Sequence, residues 1–433
     1  MKNIKAFYLD KNGVHKHESV CEVSGYFEAP MINVYNADRQ KIIGFGGAFT
    51  ESAAYNYSLM STIDKKKCLE YLFGESGLRY NFCRLCIGSS DFALEEYCYV
   101  EGKDELLETF SIERDKKYII PFLKDAMEYT KNKLILFASP WSPPAFMKTN
   151  STRFSGGKLK EEYYNLYAEY LIRFILGYKN EGIEISMLTL QNEAHASQTW
   201  ESCVFDAEDE VKLAKILSAR LKEYNLNVKL LCWDHNKERL YERAMDTFSK
   251  AEDAIDGIAF HWYSGDHFNG VDLVYQTYPD KLLLETEFCK SSAEDKVQTR
   301  YAKEMANCLS CGTMGICEWN LILDEKGGPY HNRKGGCDAP IRLKPDNTIE
   351  RSKIYWESYM FSHFIQSGAI ALATSSFNSG VYASAVKNPN GEIVVSVVNE
   401  LNEDFDDCRI YIQNRYISLP IKKETVTTVI FEL

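Results

Sequence analysis

The sequence lacks several features that mark common functional classes. It has 50 Lys and Arg against 62 Asp and Glu, a formal net charge of −12, so it has no basic surplus to attract nucleic acids or anionic membranes. No apolar run is long enough to cross a bilayer, and the first ten residues hold no apolar segment typical of a secretory signal. We therefore expect a cytoplasmic protein that neither binds nucleic acid nor integrates into a membrane.

Metal and nucleotide motifs are also missing. The 13 cysteines show no zinc-type paired spacing, and Cys308 and Cys311 form a lone C-x-x-C in a helix-like stretch, so we interpret the cysteines as reduced core thiols. Residues 44–47 are glycine-rich, but they lie within a strand-like run and lack the spacing of a dinucleotide or phosphate loop. The sequence predicts an activity that needs no metal and no cofactor.

What the sequence does contain is a regular alternation of apolar runs and helix-like segments. The strand-like runs are residues 42–49, 81–88, 133–140, 186–193, 228–234, 257–263, 281–287 and 313–320. Helix-like segments follow them, for example residues 118–132, 161–180 and 207–225, and Asp206 is a candidate N-cap for the last. Eight such pairs predict an α/β fold, a closed (β/α)₈ TIM barrel, with an open doubly wound sheet as the structural alternative.

The two ends of the chain differ from this middle part. Four short β-like segments follow a helix-like stretch at residues 352–365, and three more lie within the first 40 residues. About 65 residues are few for an independent fold. We therefore predict that residues 1–40 and 367–433 together build a small β-sandwich, and that residues 41–366 form the catalytic barrel.

Polar and aromatic side chains are concentrated where the apolar runs end. In a (β/α)₈ barrel the C-terminal strand ends build the active site, so these side chains should meet around one rim. The residues are Arg84, Asp91, Trp141, Asn192, Glu193, Asp234, His261, Tyr263, Glu287, Trp319 and Asn320. Each is a weak signal by itself, and their convergence predicts the functional site.

Two of these residues are glutamates on strands that should face one another across the barrel mouth. Glu193 closes the fourth run and Glu287 the seventh, and one protonated plus one ionised carboxyl can cleave a glycosidic bond. Glu285 is the competing candidate for the second carboxyl of this pair. Because residues i and i+2 share one side of a strand, Glu285 should lie one layer deeper, where an ionised carboxylate is costly, so the tip position favours Glu287.

Roles for the pair follow from their expected surroundings. A general acid requires a raised pKa, whereas a nucleophile must stay ionised beside donors or positive charge. Arg84 and the phenol of Tyr263 could supply these, although Arg84 could instead form a structural ion pair. His261 is either a rim donor or a hydrogen-bonded core histidine.

At these positions the chain resembles glycoside hydrolase family 30, and especially its glucosylceramidase branch. The matching segments are GFGGAFTESAA (44–54), SSDFA (89–93), ASPWSPPAFMKTN (138–150), LQNEA (190–194) with HWY (261–263), and ETEFC (285–289) with EWNLILDEKGGP (318–329). They occur in the family's order. The resemblance implies a barrel flanked by a β-domain, and a retaining β-glycosidase.

The resemblance also implies a role for each rim residue. Glu193 matches the family's acid/base and Glu287 its nucleophile, which favours Glu287 over Glu285. Asn192 matches the residue that bonds the sugar's 2-hydroxyl. Asp91, Trp141 and Trp319 match the family positions that hold the remaining hydroxyls and the ring face of a glucose-like sugar. Arg84, His261 and Tyr263 match the family's rim residues around the nucleophile. The family usually has Pro after the acid/base, where this chain has Ala194.

Several functions remain compatible with this sequence. We expect exo action on a small or oligosaccharide β-glucoside or a related β-fucoside, xyloside or galactoside, with Trp200 and its loop, residues 195–203, on the leaving-group side. The runner-up is an endo-β-1,6-glucanase or xylanase of the same family. A non-catalytic carbohydrate-binding barrel is a further alternative. A metal-dependent hydrolase would have to use Glu193, Asp234, His261 and Glu287, although barrel metal sites tend to contain paired histidines.

Overall fold

The computed structural model describes residues 1–10, 13–25, 28–291 and 299–433. The N-terminal strands are β1 (Lys2–Asp10), β2 (Gly13–Lys16), β3 (Cys21–Val23) and β4 (Met31–Lys41). They are followed by β5 (Gly44–Phe49), β6 (Phe82–Ile87), β7 (Ile135–Pro140), β8 (Met187–Thr189), β9 (Lys229–Asn236), β10 (Gly257–His261), β11 (Leu282–Glu287) and β12 (Gly315–Asn320). The remaining strands are β13 (Ile322–Asp324), β14 (Ile341–Leu343), β15 (Ile349–Arg351), β16 (Ile370–Ser375), β17 (Val381–Lys387), β18 (Ile393–Asn399), β19 (Phe405–Ile412), β20 (Arg415–Ile421) and β21 (Thr425–Glu432).

The α-helices alternate with the middle group of strands. They are α1 (Glu51–Ser58), α2 (Thr62–Phe73), α3 (Ile119–Tyr129), α4 (Tyr164–Asn180), α5 (Ala207–Glu223), α6 (Leu240–Ala251), α7 (Phe268–Thr277), α8 (Arg300–Ser310) and α9 (Lys353–Ser362). No helix in the described ranges is both long and apolar enough to cross a bilayer.

Strands β5 to β12 close into a parallel eight-stranded barrel in which β12 pairs with β5. Strands such as β6 are buried along their whole length because the helices cover the outer face. Inside, seven of the eight strands contribute to one apolar cluster, made of Phe82, Phe137, Met187, Leu231, Ala259, Leu284 and Cys317. The predicted TIM barrel is confirmed, and the open-sheet alternative is wrong.

Helix α5 shows how local sequence fixes an element of this barrel. The Asp206 side chain accepts from the backbone N–H groups of Glu208 and Asp209, and the Asp209 carboxylate accepts from the Asp206 N–H, which forms a capping box. The predicted apolar stripe of Val211, Ala214, Leu217 and Leu221 is buried. The N-cap prediction is confirmed, and the helix ends at Glu223, two residues earlier than predicted.

Both chain ends enter one ten-stranded sheet with the order β2-β1-β21-β18-β17-β16-β4-β19-β20-β3. Side chains from both halves of this sheet fill a single apolar cluster, as in a β-sandwich. The prediction of a second unit made from both ends is therefore confirmed. The sequence did not predict β2, β16 and β20, nor the small sheet of β13, β14 and β15 beside the barrel.

Candidate active site

The predicted rim residues converge on one cavity at the C-terminal ends of the barrel strands. The cavity has a volume of about 800 Å³, and its lining includes Asp91, Trp141, Asn192, Glu193, Tyr263 and Glu287. Behind this lining lie Arg84, His261 and Trp319, all buried. Nine of the eleven predicted rim residues therefore lie in this lining or directly behind it. Asp234 joins them through its bonds to Arg84 and His261, whereas Asn320 is buried and accepts from Thr50 Oγ1 at 2.7 Å.

Glu193 and Glu287 approach each other closely across this cavity. One carboxylate oxygen of each, together with one ring nitrogen of His261, lies within 4.8 Å of the others. The two oxygens of Glu287 accept from different donors, Oε1 from the hydroxyl of Tyr263 at 2.9 Å and Oε2 from Arg84 Nη1 at 2.6 Å. Arg84 and Tyr263 thus supply one donor to each oxygen of Glu287, an arrangement that suits a carboxylate nucleophile.

The position of Glu287 depends on an irregularity in β11. Phe260 pairs with Glu285, whereas the next residue, His261, pairs with Glu287, so one extra residue is inserted at Thr286. Leu284 and Thr286 point into the barrel, where Thr286 Oγ1 donates to Asp234 at 2.6 Å.

Glu285 lies on the outer face of β11 rather than one layer deeper in the barrel, so that prediction is wrong. It accepts from Cys308 Sγ of α8 at 3.0 Å. The bulge breaks the i, i+2 relation on which the prediction relied. Burial raises the pKa of Glu285 well above its ordinary value, and its carboxyl lies outside the cavity.

Glu193 is held by the backbone beyond the end of a short strand. β8 ends at Thr189, four residues earlier than predicted. Beyond it, the Asn192 N–H donates to Pro140 O and the Glu193 N–H donates to Asp234 O, both at 2.8 Å. Glu193 has φ 47° and Asp234 has φ 45°, left-handed values that cost energy for residues other than glycine. The flanking strands impose these conformations, and both carboxylates turn toward the site.

Arg84 links the polar groups of the site from below. Its guanidinium donates to Glu287, and also to Asn192 Oδ1 at 2.8 Å and Asp234 Oδ2 at 2.7 Å. It is fully buried and lies 4.7 Å from the ring centre of Trp141, which stacks on Trp319 at 5.1 Å. Arg84 therefore forms a buried ion pair and at the same time fixes two of the predicted site residues.

His261 is the second positive charge of the cluster. Its Nε2 bonds Asp234 Oδ1 at 3.0 Å, and its Nδ1 lies 3.9 Å from Glu193 Oε1, beyond hydrogen-bond distance. Burial lowers the pKa of His261, but the charge of Glu287 and the bond to Asp234 outweigh burial and raise it to about 9. His261 is therefore protonated at neutral pH.

The pKa of Glu193 differs from what the sequence predicts for a general acid. Burial raises it, but the interactions with His261 and His235 lower it below its ordinary value. The Gln198 amide, which the sequence did not single out, also donates to Glu193 Oε2 at 3.3 Å. In the free protein the shared proton thus lies on His261 rather than on Glu193.

Arg333, Phe92 and Trp200 gather around Asp91 at one side of the cavity, which we call the Asp91 wall. Arg333 Nη1 donates to Asp91 Oδ2 at 2.6 Å, and the Arg333 guanidinium lies 4.7 Å from the ring centre of Phe92 and 5.6 Å from that of Trp200. Burial nevertheless raises the pKa of Asp91 to about 7. Trp200 belongs to this wall, while Gln198 of the same loop reaches Glu193. Arg333 comes from a loop without periodicity, so no sequence signal identified it.

Glu193, His261 and Glu287 also have the separation of metal ligands. A divalent cation among them would lie beside two positive charges, the Arg84 guanidinium and the protonated imidazole of His261. Arg84 already neutralises Glu287 and Asp234. The charge distribution of the site is therefore less suited to a metal-dependent hydrolase than to hydrogen bonding with a neutral polyhydroxylated ligand.

Comparisons with known proteins agree with this geometry. The family described as "Glycosyl hydrolase family 30 TIM-barrel domain" matches residues 42–365. The chain is 29% identical to the lysosomal acid glucosylceramidase of Mus musculus, over 84% of this chain and 76% of that protein. It superposes on SrfJ from Salmonella typhimurium with a TM-score of 0.95 and 31% identity over the whole of both chains. An endo-β-1,6-glucanase structure gives a TM-score of 0.85 and 25% identity, over 99% of this chain and all of the other. The chain belongs to glycosyl hydrolase family 30 and is a glycoside hydrolase.

Proposed function

We propose that the protein is a retaining, exo-acting β-glycosidase for β-glucosides or closely related β-linked sugars, with Glu287 as nucleophile and Glu193 as acid/base. The observation that carries this proposal is the approach of the two carboxylates, one oxygen of each within 4.8 Å. Carboxyl groups about 5–5.5 Å apart act by double displacement, whereas about 6.5–9.5 Å leaves room for a water and gives inversion.

In the first step Glu287 attacks the anomeric carbon and Glu193 protonates the departing oxygen. In the second step Glu193 removes a proton from water, which releases the sugar from Glu287. Arg84 and Tyr263 hold the attacking carboxylate, and Asn192, fixed by Arg84, is in place for the 2-hydroxyl.

Glu193 must carry a proton when the leaving group departs. A sugar that fills the cavity removes the remaining water, and burial favours the neutral form of a carboxylic acid. We infer that substrate binding thereby moves the shared proton toward Glu193 from His261, whose Nδ1 lies 3.9 Å from Glu193 Oε1.

Exo action is supported by the Asp91 wall. Hydrogen bonds join three loops there. Arg333 donates to the Asp91 carboxylate, the His331 N–H donates to the Asp91 carbonyl at 2.9 Å, and the His331 ring is hydrogen-bonded to Glu201 at 3.1 Å. A cavity closed beyond the residue proposed to hold the outer hydroxyls accepts the end of a sugar chain. An endo-acting enzyme requires a cleft that is open at both ends.

The catalytic assignment is tested by matched substitutions. We expect Glu287→Gln to lower kcat on an aryl β-glucoside by on the order of 10⁴-fold or more. Azide should restore turnover of Glu193→Ala and yield a β-glycosyl azide, whereas an α-azide would contradict retention. Glu285→Gln is the control, because Glu285 lies outside the cavity against Cys308 of α8, so this variant should keep most of the activity. An inactive Glu285→Gln that still folds would refute the assignment.

Exo action is tested with a β-1,6-linked glucotetraose that carries a label at its reducing end. We expect labelled trisaccharide as the first labelled product, together with free glucose, because only the non-reducing end reaches the closed cavity. Labelled disaccharide as the first product would instead favour the endo-β-1,6-glucanase alternative. Arg333→Ala, which opens the wall, should raise the share of labelled disaccharide.

A further inference from the structure

Two cysteines face each other in the wall of the cavity. The sulfurs of Cys289 and Cys337 are 2.8 Å apart, and both residues line the cavity. Among the described residues, no other two cysteine sulfurs are in hydrogen-bond contact. The sequence interpretation of all cysteines as inert core thiols does not account for this pair.

The backbone around the two cysteines fixes their separation. Ser291 and Cys337 form an antiparallel bridge, Asp338 N donates to Lys290 O at 3.0 Å, and Cys337 N donates to Gly327 O at 3.1 Å. The segment after β11 is therefore tied to the loop that follows β13. A sulfur–sulfur bond of about 2.05 Å requires the two atoms to approach by less than 1 Å.

We propose that Cys289 and Cys337 are a reversible oxidation site at which a hydroperoxide-class oxidant forms an intramolecular disulfide that lowers glycosidase activity. The link to activity rests on the proposed function, whereas the disulfide itself does not.

The chemistry is a two-electron oxidation in two steps. The Cys337 thiolate attacks the O–O bond of hydrogen peroxide, which gives a sulfenic acid and, after proton transfer, one water. Cys289 sulfur then attacks the sulfenic sulfur, the S–S bond forms, and the hydroxyl leaves as a second water with the Cys289 proton. Two thiols and one peroxide thus become one disulfide and two waters.

We assign the first attack to Cys337 because ionisation of the Cys289 thiol is disfavoured. The bond to Cys337, followed by burial, raises the pKa of Cys289 well above its ordinary value. The Arg333 guanidinium lies in the same wall and its charge acts on both sulfurs.

The disulfide would act on catalysis through Tyr263. The Tyr263 hydroxyl donates to Glu287 Oε1 at 2.9 Å and contacts Cys289 Sγ at 3.4 Å. Cys289 also follows Glu287 by only two residues. Drawing Cys289 Sγ toward Cys337 removes this contact and shifts the segment that carries Glu287, and misplacement of about 1 Å can cost on the order of 100-fold in rate.

The experiment treats the full chain with hydrogen peroxide, removes the oxidant, and measures intact mass, disulfide-linked peptides and kcat/KM on an aryl β-glucoside. We expect a loss of two hydrogen atoms, a Cys289–Cys337 linked peptide, and a fall in kcat/KM of at least about tenfold that dithiothreitol reverses. In the Cys337→Ser variant, peroxide treatment should cause no loss of two hydrogen atoms, and kcat/KM should stay at the value measured for the same variant before treatment.

Cys21→Ser is the matched control, because Cys21 is an exposed thiol of the β-sheet unit and its loss should leave the response unchanged. The proposal is overturned if peptide mapping finds no Cys289–Cys337 link, or if the linked protein keeps its activity. If the untreated protein has no glycosidase activity, the proposed function fails, and the mapping alone still decides whether the oxidation site exists.

Discussion

His261 carries a positive charge inside a group of carboxylates. Asp234 fixes its Nε2, and Asp234 is itself held by Arg84, Thr189 and Thr286. This arrangement leaves Nδ1 directed at Glu193 without a hydrogen-bond partner of its own. The imidazolium therefore acts on Glu193 through its charge, which favours ionisation of that carboxyl.

Replacing His261 by Asn should shift the pH dependence of activity. His261 is protonated below its pKa of about 9 and lowers the pKa of Glu193. Removing this charge raises the pKa of Glu193, and the alkaline limb of kcat/KM, where the acid loses its proton, moves to higher pH by about one unit. The other titratable groups of this cluster, Arg84, Asp234, His235 and Glu287, are unchanged in the variant.

The measurement is a kcat/KM profile on a phenyl β-glucoside, whose poor leaving group needs acid assistance. His363→Asn is the control, because His363 lies at the end of α9 and bonds Gly77 O, away from the cavity. A limb that stays in place, or moves to lower pH, would show that His261 does not set the ionisation of Glu193.

At the scale of elements, periodic segments could be predicted and irregular ones could not. The barrel strands are continuous apolar runs because both faces are covered, and α5 has an N-cap and one apolar stripe, so each carries its signal locally. The convergence of nine rim residues followed directly from the barrel topology. The two glutamates at the strand ends could therefore be singled out from the sequence as candidates.

The errors have a common physical origin in contacts between distant segments. The bulge in β11 arises from its register with β10, and it places Glu285 outside the barrel against α8. The left-handed turn at Glu193 arises from bonds to Pro140 and Asp234 on the neighbouring strands. Arg333 and Cys337 reach the cavity from one aperiodic loop, and only the fold brings that loop to Asp91 and Cys289.

At the scale of the whole molecule, the barrel and the β-sheet unit share one apolar core. Leu9, Val386, Val394, Val398 and Val426 of the sheet belong to the same cluster as the barrel helices. Phe7 of β1 stacks on Phe364 just after α9 at 5.1 Å, and Thr428 Oγ1 donates to Met360 O at 2.7 Å in a buried position. Neither unit can unfold without exposing apolar surface of the other.

We therefore expect a single cooperative thermal transition in calorimetry, with equal calorimetric and van't Hoff enthalpies. Phe7→Ala removes a partly buried ring that packs against the shared core and should lower the free energy of unfolding by about 2 kcal/mol, because the cavity term adds to the lost burial. The whole transition should move to lower temperature without splitting. Ile63→Ala is the control, because Ile63 is 68% exposed and its loss should be almost neutral. The prediction fails if calorimetry shows two transitions and Phe7→Ala shifts only the transition of the sheet unit. That result would show that the units unfold independently and that the shared cluster does not couple them.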